Sequence, residues 1–189
     1  MQRLSKYVDG NRRLNLDGTA NFRDLGLKTI CDLRSDRERQ RSPDRLPATG
    51  AIRYLFLPVE DRKFDPATAL ERLKNGDREW LSLDFVIGMY RCCLDDYGLA
   101  WGKILSLAAA ESNLSLVSQC PGGKDRTGIC AALGVEPEMA VSYLQAPVEP
   151  LAAMLEYLKT SYGNVEEYLL KRAHMGGSAL TSLRTNLLQ

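Results

Sequence analysis

The sequence predicts an α/β layered fold in a single domain. Segment 27–33 looks like a buried strand, 52–57 is a second one rich in aromatic and aliphatic residues, and 114–118 is a third strand candidate. The stretches between the second and third strands and after the third read as helices, with apolar residues at helical spacing over 80–97. Strands alternating with helices favour a sheet layered with helices over separate all-α or all-β units. The chain has 189 residues, of which 44% are hydrophobic, enough for one sizeable core. No internal repeat or low-complexity linker divides it.

Taken in order, segment 27–33 (Leu-Lys-Thr-Ile-Cys-Asp-Leu) is the first strand, and the charged stretch 34–45 reads as a loop. Pro47 and Gly50 punctuate the boundary before the second strand. Residues 58–65 are polar and loop-like, and 66–74 suits a short helix. Over 80–97, Val86, Met89, Tyr90, Cys93 and Tyr97 recur at helical spacing, a stripe expected to face the core. Gly98 is expected to break that helix, with a second one over 100–110. The third strand, 114–118, delivers the chain into Gln119-Cys120-Pro121-Gly122-Gly123-Lys124-Asp125-Arg126-Thr127-Gly128. A short apolar helix follows over 128–133, with Gly134 as a C-terminal cap and Pro137 in the first turn of the next helix. Segments 151–162, 165–173 and 179–188 complete a helical C-terminal part.

The bulk numbers exclude several function classes. Lys and Arg total 25 against 24 Asp and Glu, so no broad basic footprint for nucleic acid is indicated. No apolar run is long enough to cross a bilayer, and residues 1–22 hold no signal-peptide core. A cytoplasmic location is the expectation, with secretion by a route without a signal peptide left open. The five cysteines are odd in number and form neither a disulfide framework nor a zinc pattern. His174 is the sole histidine and reads as a surface or packing residue; no metal and no cofactor is expected.

The chemistry concentrates on Cys120 and Arg126, with five residues between them on a strand–loop–helix unit. A Gly-bearing loop turns backbone N–H groups inward, and the following helix adds its positive dipole end, so the unit suits an anion such as phosphate. Gly122 and Gly123 permit the curvature. The forked guanidinium of Arg126 matches two phosphate oxygens. A free thiol with pKa near 8.5 is only about 3% thiolate at neutral pH. The donor ring, Arg126 and the helix N-terminus are placed to favour the thiolate of Cys120, and the Thr127 hydroxyl is within reach to donate to its sulfur. A nucleotide-binding loop fits less well, because Lys124 is followed by Asp125 rather than Ser or Thr.

This segment resembles the signature loop of the protein tyrosine phosphatase superfamily. Its Gly-Lys-Asp-Arg-Thr-Gly wording is similar to that of the bacterial and fungal tyrosine-phosphatase-like family with an N-terminal Asn-Phe-Arg-Asp-Leu-Gly motif, present here at Asn21-Phe22-Arg23-Asp24-Leu25-Gly26. Asp32-Leu33-Arg34-Ser35 with Glu38, and Tyr162 to Leu169, echo two further motifs in the same order. The resemblance covers nearly the whole chain. It implies a central, mostly parallel sheet of about four strands flanked by helices, and metal-free phosphomonoester hydrolysis. The implied partners are phosphorylated proteins (phosphotyrosine or phosphoserine/threonine) or phosphoinositides.

In the reaction so implied, Cys120 attacks phosphorus and forms a cysteinyl-phosphate, which water then hydrolyses. Arg126, Gly122, Gly123, Lys124 and Thr127 bind the phosphoryl group. The general acid and base is Asp125 in preference to Asp61 of the 58–61 loop. Arg23, Asp24, Asp32 and Arg34 read as braces or ion pairs rather than catalysts.

The chain departs from the family in four places. Gln119 stands where relatives usually have His, and Pro121 has no N–H to offer. The connection after Gly26 is short, and the 128–133 helix spans only about 9 Å where relatives have a longer one. The first two departures motivate a second reading, a catalytically weak phosphate reader of the same fold. A third, another thiol enzyme such as a sulfurtransferase or arsenate reductase, sits poorly with Arg126-Thr127 and the distant motifs.

Overall fold

The computed structural model describes residues 27–44, 52–60, 68–110, 116–121, 125–134 and 148–187. Strand β1 (Thr29–Asp32) is buried at every position. It is flanked by β2 (Arg53–Phe56) and β3 (Leu116–Gln119), both parallel to it, in the order β2–β1–β3. Burial at every position fits the central strand of a parallel sheet covered on both faces, and it takes in the polar Thr29 and Asp32 as well as Ile30 and Cys31. The described residues thus hold three strands, all parallel, against the four or so expected.

This topology positions the site. From β1 the chain moves to one side to form β2 and later returns on the other side to form β3. In parallel sheets the crevice at such a switch point opens beyond the carboxyl ends of the strands. Asp32 and Gln119, the last residues of β1 and β3, are register partners. Backbone bonds extend the ladder past them, from Leu33 N to Gln119 O at 2.9 Å and from Val59 N to Leu33 O at 3.0 Å.

The stretch expected to be a charged loop contains a helix, α1 (Asp36–Arg41). Its residues, Asp-Arg-Glu-Arg-Gln-Arg, have no apolar stripe, so periodicity missed it. A capping box stabilises it instead: Glu38 N donates to Ser35 Oγ at 3.2 Å and Ser35 N to Glu38 Oε2 at 2.7 Å. Acidic residues in the first turn and arginines in the last complement the helix dipole.

A short helix α2 (Ala69–Lys74) and a 3₁₀ turn (Glu79–Leu81) lead to α3 (Leu83–Ala109), N-capped by Ser82. The two helices expected on either side of Gly98 are one, kinked at Tyr97 (φ −119°, ψ 23°). Carbonyls of the kinked turn accept from side chains, one on α3 itself and two from the later π-helical turn. Trp101 Nε1 donates to Cys93 O at 2.9 Å, the Tyr168 hydroxyl to Leu94 O at 2.8 Å, and the Arg172 guanidinium to Asp95 O. A helix can bend where such side-chain donors replace its own ladder.

The core is built around α3. Tyr90, Cys93, Leu94, Trp101, Ile104 and Leu105 are buried, and Val86, Met89 and Tyr97 pack against them, so the apolar stripe faces the core as expected. Each fully buried large aliphatic side chain contributes about 1.5–3 kcal/mol. Helices α4 (Asp125–Gly134), α5 (Val148–Tyr162) and α7 (Gly177–Leu187) pack on α3. Between α5 and α7, α6 (Val165–Glu167) runs into a π-helical turn (Tyr168–Arg172). That turn approaches α3 closely: a Cβ on Gly102 would lie 1.9 Å from Ala173 O. His174, after the turn, is exposed and has a positive φ of 54°. Among the described residues no helix is long and apolar enough to cross a membrane. The motif at 21–26 and Pro137 lie outside the described residues.

Candidate active site

Strand β3 ends at Gln119 and places Cys120 at the carboxyl edge of the sheet, against the start of α4. Cys120 is buried, with 3% of its surface exposed. Thr127, in the first turn of α4, donates its hydroxyl to Cys120 Sγ at 3.3 Å. Gly122, Gly123 and Lys124, expected to carry the phosphate-binding amides, lie outside the described residues, as does Asp61.

Arg126 is held by three separate segments. Its Nη1 donates to Glu38 Oε2 at 2.9 Å, Leu33 O at 3.1 Å and Val59 O at 3.0 Å, and its Nη2 donates to Glu38 Oε1 at 2.8 Å. The guanidinium therefore reads the chain after β1, α1 and the chain after β2 at once. Burial disfavours its charge, but the Glu38 hydrogen bonds and charge outweigh burial and keep Arg126 protonated beyond its ordinary range. For Glu38 burial likewise opposes ionisation. The Arg126 bonds and charge, with the Ser35 N–H, prevail and hold its carboxyl below the ordinary glutamate value.

Asp125, half-buried at the start of α4, accepts a 2.8 Å hydrogen bond from the hydroxyl of Tyr90 on α3. Burial first, and then the Asp125 charge, push the Tyr90 phenol up, so it remains a donor at neutral pH.

Behind Cys120 lies a polar network that sequence reasoning glimpsed only in part. Asp32 is fully buried and accepts from Arg34 N at 3.0 Å, Arg34 Nε at 2.9 Å and Arg34 Nη2 at 2.7 Å. The Tyr54 hydroxyl also donates to it, and Arg39 approaches at 3.7 Å. These bonds overcome burial and hold Asp32 below its ordinary value, while burial and the Asp32 contact push Tyr54 up to about 12. Arg34 continues to Ser42 O at 2.8 Å and to the Asp44 carboxylate. Asp44 Oδ2 in turn accepts from Gln119 Nε2 at 2.7 Å. Asp32 and Arg34 thus form a buried ion pair. Gln119 turns its amide into the same network.

Sequence reasoning missed three members: Tyr90, seen only as core, Asp44, and the Arg126-binding role of Glu38. The capping-box spacing Ser35-x-x-Glu38 was the available signal for the last. Cys31 and Cys130 have thiols pushed up to about 12 by burial, as befits packing residues. Among the described residues no group of three or more His, Cys, Asp or Glu side chains could hold a metal ion.

Comparison with known proteins bears on this arrangement. The triple specificity protein phosphatase PtpB of Mycobacterium tuberculosis is 32% identical over 146 residues, which are 66% of this chain and 51% of that protein. The chain therefore spans about half the length of this curated relative. A sequence model described as the tyrosine phosphatase family matches residues 9–137, a span that contains β1, α1, β3, Cys120 and Arg126. With that match over more than half its length, the chain belongs to the tyrosine phosphatase family.

Proposed function

We propose that the chain is a cysteine-dependent phosphomonoester hydrolase whose residues 1–189 act as one phosphatase domain. The observation that carries this reading is the junction of β3 and α4. It sets a buried Cys120 thiol under the Thr127 hydroxyl, with Arg126 anchored beside it. Cys120 attacks phosphorus in line, the S–P bond forms and the bond to the leaving oxygen breaks. Arg126 and the amides around Gly122, Gly123 and Lys124 stabilise the charge on the phosphoryl oxygens, and the Thr127 hydroxyl, which donates to Cys120 Sγ, favours the thiolate. Asp125 protonates the leaving oxygen, then takes a proton from the water that displaces Cys120. Phosphotyrosine, phosphoserine/threonine and phosphoinositides are the proposed substrates. The relative's name, a triple specificity phosphatase, supports that breadth. A reducing, cytoplasmic compartment suits a free thiol nucleophile.

Incubation of freshly reduced protein with a small aryl phosphate, without added metal, tests the reading. Turnover blocked by vanadate and abolished in Cys120→Ser is the expected result. Binding of phospholigands without any turnover would instead make the chain a phosphate reader, the role that Gln119 and Pro121 favour.

A further inference from the structure

We infer that Tyr90 is a positioning residue for Asp125, aiming its carboxylate and stabilising the charge it acquires when it gives up its proton. The inference rests on Asp125 acting as the general acid. Tyr90 lies on α3, 35 residues before Asp125, and is completely buried. Its hydroxyl emerges from the core at the N-terminus of α4 and donates to Asp125 Oδ1 at 2.8 Å.

A buried hydroxyl needs an acceptor, and a backbone carbonyl usually suffices. Tyr168, equally buried against the same helix, uses one: the carbonyl of Leu94. Tyr90 instead pairs with a half-buried carboxylate directly before Arg126, in the helix turn that supplies Thr127 to Cys120. A phenylalanine would fill the core equally well, so the hydroxyl serves the carboxylate.

The bond suits proton donation because it occupies Oδ1 and leaves Oδ2 for the proton. When the S–P bond forms and the P–O bond breaks, that proton moves from Oδ2 to the leaving oxygen. Asp125 is left as a carboxylate, and the Tyr90 hydroxyl is already oriented to stabilise it. In the second step water attacks phosphorus, its proton returns to Oδ2, and Cys120 leaves as thiolate. Tyr90 keeps its own proton throughout. Its contribution grows with the negative charge on Asp125, so it matters most for leaving groups that need a full proton.

The test compares Tyr90→Phe with the parent protein on two substrates, phenyl phosphate and a dinitrophenyl phosphate whose leaving group needs no proton. On phenyl phosphate kcat/KM, which reports the step that forms the S–P bond and expels the leaving group, should fall about tenfold, the effect of one lost bond to a charged group. On the dinitrophenyl ester the change should stay within about twofold. Equal losses on both substrates, or none on either, overturn the proposal. Asp125→Asn separates the two readings: it should show the same leaving-group dependence in larger measure. If it shows none, Asp125 is not the acid and both readings fall; if it does while Tyr90→Phe does not, only the role of Tyr90 falls. A second measurement keeps Tyr90 in place. A slowly exchanging Tyr90 hydroxyl proton, resolved by NMR in the parent, should be lost in Asp125→Ala, and its absence from the parent overturns the contact.

Discussion

Glu38 and Arg126 meet in a two-pronged pair, Oε2 to Nη1 at 2.9 Å and Oε1 to Nη2 at 2.8 Å, across 88 residues of chain. The same Oε2 accepts the Ser35 N–H at 2.7 Å, so one carboxylate both caps α1 and orients the arginine. Both side chains are mostly buried, at 13% and 17% exposure. Removing one member of such a pair leaves the other charge desolvated, a loss of roughly 2–3 kcal/mol at this partial exposure. Glu38→Ala should lose about that much in urea unfolding. With the guanidinium left only its bonds to Leu33 O and Val59 O, kcat/KM on an aryl phosphate should fall about 100-fold. Glu38→Gln can keep the cap but not the charge, so it should recover more stability than activity. Full activity in Glu38→Ala would show that Arg126 does not depend on this anchor.

Acid should weaken the fold through the same carboxylates. Glu38 and Asp32 are both held below their ordinary values of 4.5 and 3.8. In that window the unfolded chain binds more protons than the folded one, so stability falls with falling pH. Their contribution is complete above about pH 4.5 and is lost as pH drops through the folded values. Urea midpoints measured from pH 6 to pH 3 should decline below that point. Glu38→Gln should decline less steeply than the parent, and parallel curves would remove Glu38 from the account.

Thr127 offers a narrower test at Cys120. Its hydroxyl donates to Sγ at 3.3 Å, and a bond to a charged group is worth about 1.5–3 kcal/mol. Thr127→Val keeps the shape of a buried side chain while removing the donor. It should lower kcat at least about tenfold and leave KM and thermal stability nearly unchanged. Thr127→Ser should restore most of the rate. A serine variant as slow as the valine variant would assign the loss to packing.

Gln119, one of the departures from the resemblance, forms a contact with Asp44. The Gln119 amide reaches Asp44 Oδ2 at 2.7 Å, and Arg34 ties the same oxygen to Asp32. Asp44→Ala should cost about 1–3 kcal/mol by leaving Gln119 and one prong of Arg34 unsatisfied. Gln119→Ala should cost less, because Asp44 keeps Arg34. A double-mutant cycle in urea should return a coupling above about 0.5 kcal/mol; simple additivity would mean that the contact does not form in solution.

The parts of this site that were legible in the sequence are those written locally. The strand 27–33, the strand that runs into Cys120, the helix over 128–133 and the apolar stripe of α3 each obey a short-range rule of period, although that helix begins three residues earlier than expected, at Asp125, and so takes in Arg126 and Thr127. The helix α1 obeyed a different local rule, its capping box, and an all-polar composition hid it. Partnerships across the chain had no local signature. Nothing in the spacing of Tyr90 separates a core tyrosine from one that holds Asp125. Asp44 sits in a Ser-Pro-Asp-Arg stretch that reads as any charged turn, yet it meets Gln119 75 residues away. Gly98 reads as a helix end because glycine is a poor helix former. Trp101, Tyr168 and Arg172 supply the donors that let α3 continue through a bend instead.

Gly102 provides a test of that packing, far from the chemistry. It lies on the face of α3 that meets the chain after the π-helical turn, and a Cβ there would sit 1.9 Å from Ala173 O and 3.2 Å from Ala173 Cβ. A backbone carbonyl cannot swing aside as a side-chain tip can, so the turn itself would have to shift. In an open helix glycine to alanine gains up to about 1 kcal/mol. Here overpacking should reverse the sign, and Gly102→Ala should lose about 3 kcal/mol in urea unfolding. Gly88, on the same helix, has nothing within 4 Å of its added Cβ. Gly88→Ala should therefore be neutral or stabilising, which serves as the control. If both substitutions move stability in the same direction, α3 and the turn do not approach as closely as the structure shows.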